Sequence, residues 1–577
     1  MTRSIRRRDA AADAIETPGE WPANTPPLLR RVYAARGART HAQAQPRLNQ
    51  LLSPDTMLGI DAAARLLVDA MDAGGHIVVV GDFDCDGATA CAVAVRGLRI
   101  LGARHVSYAV PNRMVHGYGL SPALVEELTG MKPDLLITVD HGIACHAGVA
   151  AAKAQGWQVL VTDHHLPGEH LPPADVIVDP NLPDDGFPSK SLAGVGVLFY
   201  VLLALRRRLR HGGRFDGEPP DLSVLLDLVA VGTVADLVQL DTNNRVLVAA
   251  GLRRLRAGHG CAGLRALIEV SRRSAATLTA SDIGFALAPR INAAGRLEDM
   301  ALGIECLLCD EPRRARELAE ILDGINAERR GVQQQMVGEA EAALAALSFE
   351  LETGRATVCL YREDWHPGVV GLVASKIKER AHRPAIAFAP SDAGSDRLRG
   401  SARSIPGFHI RDALAAVDAR HPGLIEKFGG HAMAAGLSLG LTDLPRFQAA
   451  FEQCAAAMLS PELLQDVILS DGAMPPEACG IDTALALRDG GPWGQGFPEP
   501  MFDDVFDVVS WKIVGEQHLK LELAWPAGAG RVNAIHFGGW SGEPPSPRSR
   551  IAYRLQPDDW RGGDAVQLVV VHREAAA

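Results

Sequence analysis

Three carboxylates stand within five residues in Gly81-Asp82-Phe83-Asp84-Cys85-Asp86-Gly87. So close together they repel one another, and either a positive charge sits among them or their pKa values rise. A divalent cation meets that need, because hard cations prefer oxygen ligands. Asp-x-Asp-x-Asp-Gly also opens a calcium EF-hand loop, which requires a bidentate Glu at its twelfth position. Counted from Asp82, that position holds Val93, and an apolar strand-like run, Ile77–Val80, precedes the motif. The EF-hand reading fails, which leaves a metal site or a solvated acidic turn.

Two other apolar runs end in the same chemistry. Leu135–Val139 leads into Asp140-His141-Gly142, and Val159–Thr162 into Asp163-His164-His165. A further acid, Asp236, follows the apolar run Leu225–Val234. One Asp or His in such a place is commonly a cap or a hydrogen-bonding residue. Several element ends that all carry acids and histidines are hard to assign to capping together. Mixed carboxylate and imidazole ligands suit Mn²⁺ better than calcium, with Mg²⁺ as a substitute. Enough acids for one to bridge suggests two ions about 3.5–4 Å apart, the arrangement of many phosphate-ester hydrolases.

A second constellation is Gly400-Ser401-Ala402-Arg403-Ser404 with Gly429-Gly430-His431-Ala432-Met433-Ala434-Ala435-Gly436. Paired glycines let a backbone approach an anion and offer it N–H groups. Arg403 supplies a planar fork for phosphate oxygens, and Ser401 a hydroxyl donor. The glycine-rich segment reads equally as a tight turn leading into a helix packed through small residues.

These residues need elements to hold them. Strand-like runs at Ile77–Val80, Val106–Val110, Leu135–Val139, Val159–Thr162 and Val176–Val178 alternate with helical stretches such as Ala88–Leu101, which predicts an α/β fold with a parallel sheet. In such sheets ligands bind outside the strands' C-terminal ends, where the acids fall. Helical texture continues through Val195–Arg210 and Leu222–Val234. Glu311 to Leu347 reads as a long helical connector. A second α/β pattern begins at Ala356–Leu360, with a helix from Val369 to Arg380 and a strand at Ala385–Phe388. Beyond about residue 460, short β-like runs (Val505–Val508, Lys520–Leu523, Val532–Phe537, Val566–Val571) between Gly/Pro turns predict a small barrel or sandwich.

Composition sets the outer bounds. The 577 residues carry a net charge of −11, which argues against a nucleic-acid coat protein but not against a nuclease with a locally basic groove. No apolar run reaches the length of a membrane span. Arg3 and Arg6 to Arg8 have no apolar segment behind them, so no secretory signal is read. Nine cysteines at no framework spacing read as reduced thiols of a cytoplasmic protein. Cys306-Leu307-Leu308-Cys309 reads as two core thiols, and Arg206–Arg208 as a solvated helix face. Only eight of the 58 basic residues are lysine, a bias of the genome more than of the function.

Asp82–Gly87, Asp140, the Asp163-His164-His165 triplet and Asp236 in Val-Gly-Thr-Val-Ala-Asp resemble the four motifs of the DHH phosphoesterase superfamily. The pattern over nearly the whole chain is similar to its RecJ family of single-strand-specific 5′→3′ DNA exonucleases, which act in DNA repair and recombination. The resemblance implies a parallel-sheet DHH domain (56–305), after an N-terminal extension (1–55). A helical connector (306–350), a smaller α/β DHHA1 domain (351–458) and an OB-like β-barrel (459–577) would follow. It implies that Asp82, Asp84, Asp86, Asp140, His164 and Asp236 bind two Mn²⁺ or Mg²⁺ ions, with His165 close to the scissile phosphate. Some relatives carry a His four residues before the acid matching Asp84. Val80 stands there in this chain, and Asp82 is the substitute. The residues matching Ser401 and Arg403 would hold a 5′-terminal phosphate, with Arg290 of Ala-Pro-Arg-Ile-Asn as a further arginine. Gly430 and His431 fall in a DHHA1 motif, and Trp365-His366-Pro367-Gly368 through Arg383-Pro384-Ala385-Ile386 also fits that domain.

Five of the eight tryptophans (Trp493, Trp511, Trp525, Trp540, Trp560) lie in the last 90 residues. With Phe497, Phe502 and Phe506 they read either as barrel core or as a stacking platform for unpaired bases. Single-strand-binding protein and a RecQ-type helicase are the partners the resemblance implies, with a monomeric enzyme. Two alternatives remain: a DHH-family phosphodiesterase for nano-RNA or cyclic dinucleotides, and an inactive nucleic-acid-binding subunit of the Cdc45 kind.

Overall fold

The computed structural model describes residues 3–8, 21–23, 25–112, 116, 119–297, 300–346, 355–365, 367, 370–392, 394–430, 432–528 and 530–576. The chain divides into two compact units: residues 1–7 with 328–470, and residues 8–327 with 471–577. Its first strand, β1 (Ser4–Arg7), belongs to the smaller unit.

The larger unit is built on five parallel strands. These are β2 (Ile77–Val80), β3 (Val106–Ala109), β4 (Leu135–Val139), β5 (Gln158–Thr162) and β6 (Val176–Val178), in the order β3-β2-β4-β5-β6. Both faces are covered, and β2 and β4 are buried throughout, apolar but for Thr138. Ile77, Val79, Leu135, Ile137 and Leu160 pack with the helices Cys85–Ile100, Gly194–His211 and Leu226–Ala235. Val78, Val80, Leu136, Val159 and Val161 pack with the helices Pro122–Leu128 and His146–Ala154. The chain leaves β2 toward β3 on one side and resumes at β4 on the other. The strand order therefore switches between β2 and β4, and a crevice opens outside their C-terminal ends.

Residues 25–50 show little periodicity, yet they join this core. On the helix Pro27–Ala34, Leu28, Leu29, Val32 and Tyr33 are buried. Tyr33 stacks on Trp493 at 5.8 Å and donates a hydrogen bond to Gly490 O at 2.8 Å. Arg36 donates twice to Asp471, at 2.7 and 2.9 Å.

A single helix, Pro312–Ala346, carries the chain from one unit into the other. In the smaller unit, β7 (Val358–Tyr361), β8 (Ala385–Pro390), β9 (Arg397–Arg403), β10 (Lys427–Gly430) and β11 (Ala434–Gly440) form a mixed sheet in the order β10-β11-β9-β8-β7. Only β7 and β8 run parallel. The helix Val370–Ala381 covers one face, and the helices Ile410–Arg420 and Leu444–Met458 the other. β12 (Val467–Ser470) pairs in parallel with β1.

The chain then completes the larger unit with a closed five-stranded barrel. Its strands are β13 (Phe502–Val514), β14 (His518–Ala524), β15 (Arg531–His536), β16 (Arg548–Pro557) and β17 (Val566–Ala575), in the order β13-β14-β15-β17-β16. Alternate residues of β14 (Leu519, Leu521, Leu523) fill its interior. The Gly/Pro-punctuated runs left barrel and sandwich open; the closed sheet is the barrel, in agreement with the OB-type domain that the resemblance implies. Among the described residues, no helix is long and apolar enough to cross a membrane.

Candidate active site

The first acidic motif is shaped by the helix it precedes. Asp84 caps the helix Cys85–Ile100, accepting the Gly87 N–H at 3.0 Å. Asn292 accepts the Cys85 N–H at 2.7 Å and so pins the middle of the motif. Asp86 turns toward another helix. Its carboxylate accepts the N–H groups of Gly194 (2.6 Å) and Val195 (3.1 Å), at the N-terminus of Gly194–His211. That terminus carries unpaired donors and a partial positive charge.

Asp140 leaves β4 in the left-handed region (φ 66°), unusual for a residue other than glycine. A Cβ on Gly194 would lie 2.5 Å from Asp140 Cβ. Only glycine there lets the helix end reach Asp86 while Asp140 keeps its place. His164 arrives from the end of β5, and Asp236 from the C-terminal cap of the helix Leu226–Ala235.

These side chains converge. His164 Nε2 lies 3.1 Å from Asp140 Oδ1 and 3.4 Å from Asp236 Oδ2. Three sets, Asp82/Asp84/Asp140, Asp140/His164/His165 and Asp86/His164/Asp236, each bring one potential ligand atom per residue within 4.8 Å of one another. Asp140 Oδ1 and Asp236 Oδ2 are buried and accept no hydrogen bond among the described residues. Buried oxygens without donors, aimed at one imidazole among several acids, fit hard divalent cations such as Mn²⁺ or Mg²⁺. Val80 is fully buried in apolar surroundings and offers no ligand, whereas Asp82 stands with Asp84 and Asp140.

The electrostatics point the same way. Burial, then the neighbouring charge of Asp84, raises Asp86 to about 7 against the backbone hydrogen bonds it accepts. Burial with the charges of Asp86 and Asp84 raises Asp236 to about 9, and burial with four acids lifts Asp140 well above the carboxylate range. Without cations, this cluster must hold protons.

Asp163 behaves oppositely. Burial works to raise it, but His165 and the N–H groups of Ile143 and His165 outweigh that and hold it below its usual value. Its Oδ1 lies 2.7 Å from His165 Nδ1 and accepts the His164 N–H at 2.7 Å; its Oδ2 accepts the Ile143 N–H at 2.9 Å. For His165, burial is overcome by the Asp163 hydrogen bond and charge, and its pKa rises to about 9. Asp163 therefore aims the histidine pair, a part not read from the sequence although it directly precedes them. Asp179 and Asn181, after β6, were also missed. Asp179 accepts the Asn181 N–H at 2.8 Å, and Asn181 Nδ2 donates to His164 O at 2.6 Å.

In the smaller unit, Arg403 Nη1 donates to Ser401 Oγ at 2.9 Å. A Cβ on Gly371, in the first turn of Val370–Ala381, would lie 2.8 Å from Arg403 Nη2 and 3.2 Å from Ser401 Oγ. A helix N-terminus thus adjoins a guanidinium and a hydroxyl, the parts of an anion site. Ser401 pairs with Gly436, and Gly436 with Gly429; Gly430 is exposed opposite Ala435. The glycine-rich segment is a β-hairpin, not a turn into a helix. His431, like His366 and Gly368, lies outside the described residues.

Arg290 belongs to the larger unit. There its Nε and Nη2 donate to Asp323 at 2.9 and 2.8 Å, and its Nη1 to Ala286 O.

The aromatics divide. Phe497, Phe502, Phe506 and Trp525 are buried, and Trp493 stacks on Phe497 at 5.3 Å; these are core. Trp511 and Trp540 stack on each other at 5.6 Å, with Trp511 part-exposed, and Lys520 sits over the exposed Trp560 ring. Cys306 and Cys309 are free thiols, as are the other cysteines.

Comparison with known proteins agrees with this arrangement. The DHH family N-terminal domain matches residues 76–233, the DHHA1 domain 354–457 and the RecJ OB domain 470–572. The chain is 48% identical over 574 residues to the single-stranded-DNA-specific exonuclease RecJ of Salmonella typhimurium, covering 98% of each chain. It is 46% identical to RecJ of Escherichia coli K12, again over 98% of each. The crystal structure of Thermus thermophilus RecJ in complex with Mn²⁺ superposes with a TM-score of 0.76 at 31% identity, over 96% of this chain and 76% of that one. Matched along nearly its whole length, the chain belongs to the RecJ family.

Proposed function

We propose that the chain is a metal-dependent exonuclease that degrades single-stranded DNA 5′→3′ to 5′-mononucleotides, in DNA repair and recombination. The observation that carries this reading is the three ligand sets, linked through Asp140 (in two of them) and His164 (in two), at the switch point of the parallel sheet. Asp82, Asp84, Asp86, Asp140, His164 and Asp236 would hold the ions, and Asp140, common to two of the sets, would help hold both. Two Mn²⁺ or Mg²⁺ ions there would supply an activated water and offset the charge on the leaving oxygen. Asp163, 2.7 Å from His165 Nδ1, orients that ring, which faces the scissile phosphate. Asp84, capping a helix, and Asp86, held by another, keep their oxygens in place without help from solvent.

Ser401 and Arg403, beside a helix N-terminus, hold the 5′-terminal phosphate, with Gly430 and His431 of the same DHHA1 motif. In the larger unit, Arg290 contacts a DNA phosphate by exchanging Asp323 for its oxygen. Trp511, Trp540 and Trp560 offer faces to unpaired bases, which a duplex does not present. The enzyme is a cytoplasmic monomer that works with single-strand-binding protein and a RecQ-type helicase. The intact acid and histidine set speaks against an inactive binding subunit.

The test uses oligonucleotides labelled at either end, single- and double-stranded, with and without Mn²⁺. Immediate mononucleotide release from the 5′ label of the single strand alone is expected. Release first from the 3′ label, or equal attack on duplex, refutes the reading.

A further inference from the structure

Between β6 and the helix Gly194–His211, residues 179–193 form neither helix nor strand. A stretch of that length without secondary structure is uncommon inside a compact unit and commonly functional. Apolar side chains anchor this one: Leu182, Phe187 and Leu192 are buried, and Phe187 meets Tyr200 edge-on at 4.9 Å. Its hydrogen bonds lead to three metal ligands. At its start, Asn181 Nδ2 donates to His164 O at 2.6 Å, and Asp179 accepts the Asn181 N–H at 2.8 Å. Toward its end, Ser189 Oγ donates to Asp241 Oδ2 at 2.6 Å, and Ser191 O accepts from Asn244 Nδ2 at 2.6 Å. Asn244 Nδ2 also donates to Gln239 O at 2.8 Å, so these bonds grip the turn that follows Asp236. Where the loop becomes helix, the N–H groups of Gly194 and Val195 hold Asp86.

Asp86, His164 and Asp236 are together one of the three ligand sets. Asp82 and Asp84, of another set, accept the N–H groups of Phe83 and Gly87 within their own segment. One side chain closes the loop on itself. Lys190 Nζ donates to Pro180 O (2.7 Å), Asp185 O (2.7 Å) and Asp185 Oδ1 (2.8 Å), which uses all three of its N–H donors. Pro180 lies between Asp179 and Asn181, and Lys190 between Ser189 and Ser191. This ammonium therefore ties the arm on His164 to the arm on the Asp236 turn. Three acceptors around one point suit a compact ammonium better than a planar guanidinium. In a chain with only eight lysines among 58 basic residues, lysine stands here.

We infer that Lys190 is a positioning residue for the metal centre: through the loop it braces, it sets the Asp86/His164/Asp236 ligands and not the Asp82/Asp84/Asp140 ligands. This rests on the two-ion reading of the site and adds to it an unequal support of the two ions. The affinity of one ion depends on an ammonium that stands outside the carboxylate cluster, and the affinity of the other does not.

The test titrates Mn²⁺ calorimetrically into the metal-free full-length protein. Wild type should bind two ions. Lys190→Met keeps the aliphatic stem and removes the donors; Asn181→Leu removes one arm of the loop. Each should weaken one ion about 10–100-fold, the usual cost of losing an orienting contact, and leave the other unchanged. Two backgrounds identify the ion. With Asp82→Asn disabling the other set, Lys190→Met should still weaken the ion that remains; with Asp236→Asn, it should have no effect. In cleavage assays of Lys190→Met, the Mn²⁺ concentration for half-maximal rate should rise by the same factor, and kcat should return at saturating Mn²⁺. Equal weakening of both ions, or an effect that persists with Asp236→Asn, would reduce Lys190 to a stabiliser of the fold and overturn the inference, as would unchanged affinities in Lys190→Met. A wild type that binds no Mn²⁺ would instead sink the two-ion reading itself.

Discussion

Asp140 has the most crowded position in the site: strained backbone, buried carboxyl, and membership of two ligand sets. Asp140→Ala should abolish cleavage even at millimolar Mn²⁺ while single-strand binding, measured by fluorescence anisotropy, changes little. Retained cleavage would refute its role. The carboxyls also make a prediction about pH. Asp86 and Asp236 are raised from 3.8 to about 7 and about 9, so without metal the folded protein binds more protons there than the unfolded chain. Stability from these groups is lost as pH rises from about 4 through those values. His165, raised from 6.5 to about 9, has the same sign: its contribution is full below 6.5 and gone above about 9. Mn²⁺ competes with these protons, so its stabilisation should grow with pH. At a hundredfold excess over Kd, a bound ion contributes about 2.7 kcal/mol. Calorimetric Tm shifts on adding Mn²⁺ should be clearly larger near pH 8 than near pH 5.5; a shift independent of pH would count against the site.

At the scale of elements, the close approaches decide how well the ligands are held. Gly194→Ala puts a methyl on Asp140 and moves the helix end that orients Asp86. Mn²⁺ affinity by titration calorimetry should fall about 10–100-fold, the usual cost of losing an orienting contact, with far-UV circular dichroism unchanged. Arg403→Ala should narrow the preference for a 5′-phosphate over a 5′-hydroxyl more than it lowers the turnover of 5′-hydroxyl strands. Equal losses on both substrates would remove it from the anchor. The central parallel strands were legible in the sequence because burial on both faces makes them mostly apolar runs, and the acids stand where those runs stop. Asn181 and Asn292 were not legible, because each acts on a backbone group that only the tertiary fold brings near. The hairpin at Gly429–Gly436 was ambiguous for another reason: small residues have no apolar period from which to choose strand or helix. The N-terminal stretch looked like an extension because its partners, Trp493, Gly490 and Asp471, lie more than 400 residues away.

Taken whole, neither unit is continuous in sequence. The smaller one includes β1, whose Ile5 is buried and pairs with Ile468 of β12. Ile5→Asp should place a charge in that seam and lower the Tm of the smaller unit by several degrees, as buried polar substitutions of ~1–3 kcal/mol do. Mn²⁺ binding, which the larger unit performs, should not change. Arg3 and Asp466 are bonded across 463 residues, so β1 must leave the ribosome long before the strand it joins. At about 5–20 residues per second, the delay is roughly 20–90 s. The barrel that completes the larger unit is made later still. A chain released early by a truncated message therefore lacks closing pieces of both units.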